Sequence, residues 1–242
     1  METVIETSNI TKNYKDVLAL NNLSFKAYRG EVLGLLGVNG AGKTTLIKVL
    51  TGLCSKSKGE AFILGYNLDN DLAKIKSLIN VSPQTTSVAL NLTVKENLAF
   101  FKGIYDVKDE AYIQKIVQIF HLDEVMNKKA KKLSGGWARR LSIAVSLINK
   151  PEILFLDEPT LGLDVLARRS LWEIIRGLKG EMTIILTSHY LEEIEALCNH
   201  VLIMSKGVKK AYGTTKELLE ETKTTSLEDA FVKIVGIEEM AE

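Results

Sequence analysis

The amino-acid sequence predicts an α/β fold with a mainly parallel sheet, an antiparallel β part at the N-terminus and an inserted α-helical subdomain. Three observations carry this prediction. Val32 to Leu36 and Ile153 to Leu156 are near-continuous apolar runs of four or five residues, the texture of parallel strands covered on both faces. In the last third of the chain such runs alternate with helical spacing, which is βαβ order. Between Leu92 and Asn149 helical spacing dominates and strand signals are scarce.

Up to about Ile63 the chain is β-rich. Leu18, Leu20, Leu23 and Phe25 alternate through Val17 to Ala27 as in a partly exposed strand or hairpin, hence the antiparallel N-terminal part. The strand Val32 to Leu36 feeds a glycine-rich turn and a helical stretch ending at Leu50. In the insert, Ile113, Ile116, Val117 and Phe120 fall at helical spacing, and a further helical stretch covers Ala138 to Leu147. After Ile153 to Leu156, helices at Ala167 to Leu178 and Tyr190 to Cys198 separate strands at Met182 to Leu186 and Val201 to Met204. The tail reads as two helices, Thr215 to Glu221 and Leu227 to Val235, each behind a Thr or Ser cap. The only prolines are at 83, 151 and 159, and no repeat or Pro-rich linker divides the sequence. The expected organisation is therefore one domain over 1–242: a core from 1–83 and 151–213, a helical subdomain at 84–150 and a helical tail at 214–242.

Composition narrows the function. The 242 residues are 46% apolar and 25% charged, which excludes disorder and a fibrous repeat and allows a sizeable core. Thirty-one basic against 30 acidic residues leave a net charge of +1, so a nucleic-acid partner is not expected. No apolar run approaches the roughly 18 residues of a bilayer span, and the chain is not expected to cross a membrane by itself. Met1 to Ile10 contains Glu2 and Glu6 and does not read as a signal peptide. Cys54 and Cys198 are too few for a disulfide framework or metal cluster and are expected to be buried thiols in a reducing cytosol.

The chemistry begins at Gly37-Val38-Asn39-Gly40-Ala41-Gly42-Lys43-Thr44, which fits G-x-x-x-x-G-K-[ST] between a strand and a helix. Such a P-loop needs glycines because backbone amides must curl around phosphate oxygens where a Cβ would collide; the helix N-terminus adds a favourable dipole. Asn39, Gly40 and Gly42 belong to this cradle. Lys43 would reach the β- and γ-phosphates, Thr44 would offer its hydroxyl to Mg²⁺, and Thr45 would touch the α-phosphate. Ile153 to Glu158 is a buried strand ending in two carboxylates, at the sheet edge where α/β proteins bind ligands. Asp157 suits Mg²⁺ through water, since Mg²⁺ keeps several waters and takes one or two carboxylates. Glu158 is then the candidate to polarise the water attacking the γ-phosphate.

A P-loop alone leaves several enzyme classes open. Leu133-Ser134-Gly135-Gly136, just before the helical stretch from Ala138, resembles the signature of ABC-type ATPases. Physically, Ser134 could cap that helix while Gly135 and Gly136 leave amides exposed, a second anion site. The resemblance runs from about Val4 to Tyr212 and implies a RecA-like P-loop core. It also implies a head-to-tail dimer, expected here as a homodimer, in which ATP lies between one chain's P-loop and the other's signature. Gln84, in Val81-Ser82-Pro83-Gln84, is similar to the glutamine that senses Mg²⁺ and water. Tyr14 stands where the family stacks an aromatic on adenine, worth about 1 to 3 kcal/mol. His189, in Thr187-Ser188-His189, resembles the histidine that contacts the γ-phosphate, and Asp164, in Gly162-Leu163-Asp164, the aspartate that communicates across the dimer. His121 and His200 match no such position and read as structural.

Three positions depart from the pattern: Trp137 where the signature usually continues with Gln or Met, and Val38 and Val165 where Pro is common. None removes a phosphate ligand, and Trp137 bears on the dimer or signature-helix contact. Lys128, Lys129, Lys131 and Lys132 form a basic run that ordinarily means a solvated face; the sharper reading sets it near anionic lipid or an acidic partner loop. The resemblance implies an ATPase subunit, peripheral on the cytoplasmic face of the cell membrane, powering a separate integral membrane permease. The stretches from Leu161, Thr187 and Ser226 are similar to the bacterial drug, sodium and small-solute export branch. The alternative is a soluble ABC ATPase acting on ribosome or DNA, whose relatives carry two ATPase halves or a long coiled-coil insert. A kinase using the same loop would leave Leu133 to Gly136 and His189 unexplained.

Overall fold

The computed structural model describes residues 1–236, so residues 237–242 of the expected tail lie outside the described residues. In chain order the elements are β1 (Thr3–Tyr14), β2 (Val17–Tyr28), β3 (Val32–Leu36), α1 (Lys43–Leu50), β4 (Lys58–Ile63), β5 (Tyr66–Asn67), α2 (Leu72–Leu78) and β6 (Ile79–Ser82). The helical insert follows with α3 (Val94–Ile104), α4 (Glu110–Ile119) and α5 (Gly135–Ser146). Then come β7 (Ile153–Asp157), α6 (Val165–Leu178), β8 (Thr183–Ser188), α7 (Leu191–Leu197), β9 (His200–Ser205), β10 (Val208–Gly213), α8 (Thr215–Thr222) and α9 (Leu227–Val235).

Two sheets form. The N-terminal one is antiparallel in the order β2-β1-β4-β5; the central one runs β10-β9-β3-β8-β7-β6, parallel except for β10. The continuous apolar runs are explained by burial on both faces. In β3, Val32 and Leu36 enter one core with α3 to α7 and α9, while Leu33 and Leu35 enter another with α1 and the antiparallel sheet. β7 divides likewise, Leu154 and Leu156 to the first core, Ile153 and Phe155 to the second. Each such buried side chain contributes about 1.5 to 3 kcal/mol relative to exposure.

Helix ends follow local chemistry. Thr93 and Thr214 form capping boxes with Glu96 and Glu217, and Ser226 caps α9 through the Asp229 amide. Among the described residues no helix is long and apolar enough to cross a membrane.

Three expectations change. Ser134 occupies the N-cap position of α5 but makes no side-chain cap hydrogen bond. Leu18 is 47% exposed rather than on the buried face with Leu20, Leu23 and Phe25. Positive-φ residues Asn9 and Asn22 accompany register irregularities in the β1–β2 pair, so Leu20 and Leu23 both point inward and the alternation changes phase. Both cysteines are free, and each is partly rather than fully buried.

Candidate functional site

Four neighbouring parallel strands deliver their C-terminal ends to one cleft. β3 runs into the turn Gly37 to Gly42, β7 into Glu158, β8 into His189, and β6 into Pro83 and Gln84. This is the edge of an open α/β sheet at which backbone groups and loop side chains are free to meet a ligand. A cavity of about 460 Å³ there is lined by Asn39, Gly40, Gly42, Lys43, Thr44, Thr45, Gln84, Glu158 and His189.

The turn is held tightly. Gly42 has φ +98°, and a Cβ on it would lie 2.7 Å from the Ala19 carbonyl oxygen, so only glycine lets the loop close against β2. Lys43 is 6% exposed and its Nζ donates to the Gly37 and Val38 carbonyls at 2.6 and 3.2 Å, 3.7 Å from Glu158 Oε1. Burial holds its ammonium below the usual lysine range, opposed by the charges of Glu158 and Asp157.

Asp157 Oδ1 accepts from Thr187 Oγ1 at 2.7 Å and from Thr44 Oγ1 at 3.2 Å. A hydroxyl and a carboxylate thus converge beside the P-loop, the hard oxygen donors that Mg²⁺ takes. Glu158 has φ +48° in front of Pro159, a left-handed backbone costing about 1 to 3 kcal/mol that recurs at functional positions. Its amide donates to Thr187 Oγ1 at 2.8 Å, and its Oε2 lies 2.8 Å from His189 Nδ1. One 8%-exposed carboxylate therefore faces both the lysine and the histidine.

Tyr14 stands outside the cavity lining, 41% exposed at the end of β1, with Lys12 Nζ 4.7 Å from its ring centroid and its hydroxyl donating to Cys54 Sγ at 3.3 Å.

Ser134, Gly135, Gly136 and Asp164 belong to a second surface. A Cβ on Gly135 would meet only Leu163 Cδ2, at 3.7 Å, whereas one on Gly136 would lie 3.1 Å from Ala167 Cβ. The signature turn therefore packs on the loop that Asp164 shapes by accepting from the Leu166 and Ala167 amides, both at 2.9 Å. Beside it Leu161, Val165 and Leu166 are 41%, 55% and 80% exposed, an apolar patch next to the Ser134 to Gly136 turn. Trp137 is half-buried against the larger core with the Arg140 guanidinium 4.6 Å from its ring centroid.

Sequence reasoning missed four contributors. Val17 and Leu18 wall the cavity, Thr187 ties Asp157 to the Glu158 amide, and Arg139 lies buried behind both. Arg139 carried a signal in its spacing, one turn before Ile143 on a helix face that is buried; Thr187, inside a continuous buried strand, carried none. His200 is structural, its Nδ1 2.7 Å from Glu31 Oε2 and its ring stacked on Tyr212.

A parallel sheet whose strand ends share a phosphate cradle with two acids defines a class, the P-loop nucleotide-binding domain. The comparisons place it within that class. The sequence matches the family described as ABC transporter over residues 20–161. It is 36% identical over 244 residues to the probable multidrug ABC transporter ATP-binding protein YbhF of Escherichia coli K12, covering 97% of this chain and 42% of that protein. With the Nod factor export ATP-binding protein I of Rhizobium etli it shares 37% identity over 224 residues, 90% of this chain and 71% of the relative. A solved ATP-binding subunit of an ABC transporter superposes with TM-score 0.86 at 27% identity, covering 96% of this chain and 100% of that one. The chain belongs to the ABC transporter family.

Proposed function

We propose that the chain is an ATP-hydrolysing subunit that powers a separate membrane permease, most consistently an exporter. The observation carrying this reading is the convergence of Lys43, Thr44, Asp157, Glu158, His189 and Gln84 on one cleft, with a second anion-binding turn elsewhere on the same surface. The P-loop amides and Lys43 bind the β- and γ-phosphates of ATP. Thr44 and Asp157 would hold Mg²⁺, with Gln84 beside them, and that ion would supply charge neutralisation on the phosphate oxygens. Glu158 accepts a proton from the attacking water, and the His189 contact keeps its carboxylate aimed. Val17, Leu18 and Tyr14 offer an apolar and aromatic edge for the base.

Ser134 to Gly136 would close on the γ-phosphate held by a second copy, burying the exposed Leu161, Val165 and Leu166. Asp164 joins that contact. The export name of the Rhizobium etli relative supports an exporter, and the subunit described for the solved neighbour supports a peripheral subunit at the cytoplasmic face of a membrane. The test is to capture the tagged chain from membranes in mild detergent and follow ATP turnover with its partner. A stoichiometric polytopic protein that changes turnover is expected; a ribosomal or nucleic-acid partner without one would overturn the transport reading.

A further inference from the structure

Arg139 is 5% exposed and faces no carboxylate within hydrogen-bond reach; all its nitrogens are spent on main-chain carbonyls. Nε donates to Pro159 O at 2.7 Å. Nη1 donates to Pro83 O and Gln84 O at 2.6 and 3.3 Å, and Nη2 to Asp157 O and Glu158 O at 2.8 and 2.9 Å. A guanidinium has five N–H donors in a rigid fork, so this side chain is fully satisfied by five carbonyls. Those carbonyls lie where the β6–β7 ladder has ended, its last pair being Ser82 and Leu156, and where the two loops would otherwise part. Burial lowers the guanidinium to about 10, opposed by the charges of Asp157, Glu193 and Glu158, so it is a cation at neutral pH.

The same helix begins at the signature turn. Arg139 sits one turn after Gly135, so any shift of the first turn of α5 is carried by a rigid fork to the backbones of Gln84 and Glu158. We propose that Arg139 is a positioning residue that transmits contact at Ser134 to Gly136 to Gln84 and Glu158 of the same chain. Phosphate capture from one copy thereby sets the hydrolytic groups of the other site. The role rests on the ATPase reading above. Lysine cannot replace it, because three donors on a point charge do not span five carbonyls on two loops.

The full chain carrying Arg139→Lys or Arg139→Gln is compared with wild type in thermal melting, equilibrium Mg-ATP binding, steady-state turnover and amide hydrogen exchange. Melting is expected to stay cooperative and ATP affinity to stay within about twofold, since the P-loop is untouched. The kcat is expected to fall by about 10- to 100-fold in both variants, as for a slight misplacement of reacting groups, and the Hill coefficient to approach 1. Unchanged kcat and cooperativity in a folded variant would overturn the proposal, and so would full rescue by lysine. A wild-type chain without turnover would overturn the ATPase reading instead. Exchange then decides the role of Arg139: residues 83–86 and 157–160 should lose protection in the variants while residues 37–45 keep theirs, and retained protection at both loops overturns it.

Discussion

At the scale of single residues the cleft is a set of burials that only function explains. Lys43 is buried beside two acids, and neutralising it leaves Glu158 without that cation and would remove the charge proposed to meet the phosphates. Lys43→Ala is expected to abolish ATP binding in a titration calorimeter, and normal affinity would remove the P-loop from the site. Glu193 differs. It is fully buried, its Oε1 accepts from Trp172 Nε1 at 3.0 Å, and its Oε2 and the Thr160 hydroxyl have no hydrogen-bond partner among the described residues. Burial pushes its carboxyl above the usual glutamate range. Because the folded value is the higher one, the unfolded chain ionises first as pH rises. As pH rises, stability is therefore lost from the ordinary glutamate value of 4.5 up to the raised folded value. Glu193→Gln removes that loss and an unsatisfied acceptor costing about 1 to 3 kcal/mol. The variant should melt higher by about 2 to 4 °C per kcal/mol at pH 7.5, and the pH-linked part of that gain should vanish near pH 4.

At the scale of elements the sequence was most legible where one physical rule acted alone. The runs in β3 and β7 could only be strands covered on both faces, and α9 follows from a serine cap and an apolar stripe. Leu18 was misread because alternation assumes unbroken pairing, whereas irregularities in β1 and β2 shift the phase. Ser134 was misread because an N-cap position does not oblige the side chain to bond; here the hydroxyl makes no cap bond, which leaves it available to a ligand. The positive φ of Glu158 and the fork of Arg139 are tertiary facts that no local pattern encodes. The turn before α5 yields its own prediction. Since a Cβ on Gly135 makes only ordinary contact with Leu163 in the single chain, Gly135→Leu should preserve monomer ATP affinity and melting yet reduce turnover by at least about 100-fold through a blocked second copy. Loss of monomer binding would show misfolding instead.

At the scale of the whole molecule, two cores share one central sheet, and the chemistry lies where both end. The antiparallel core sets the P-loop against β2, the helical core sets α5 against β6 and β7, and Asp157 and Glu158 stand at the junction. A molecule so divided can hold ATP with one half while presenting the signature turn to another copy. The exposed Leu161, Val165 and Leu166 beside that turn would be covered when two copies meet. On the proposed reading, dimer closure and hydrolysis would be separable, because closure would need the phosphate and the apolar patch, whereas reopening would need the water that Glu158 is proposed to activate. Glu158→Gln keeps the shape of the side chain and its contact with His189 but cannot take a proton. With Mg-ATP this variant should elute from size exclusion at twice the monomer mass and hydrolyse at least about 1,000-fold more slowly than wild type. A variant that stays monomeric with ATP bound would separate the P-loop site from the signature turn, and wild-type turnover would remove Glu158 from the reaction.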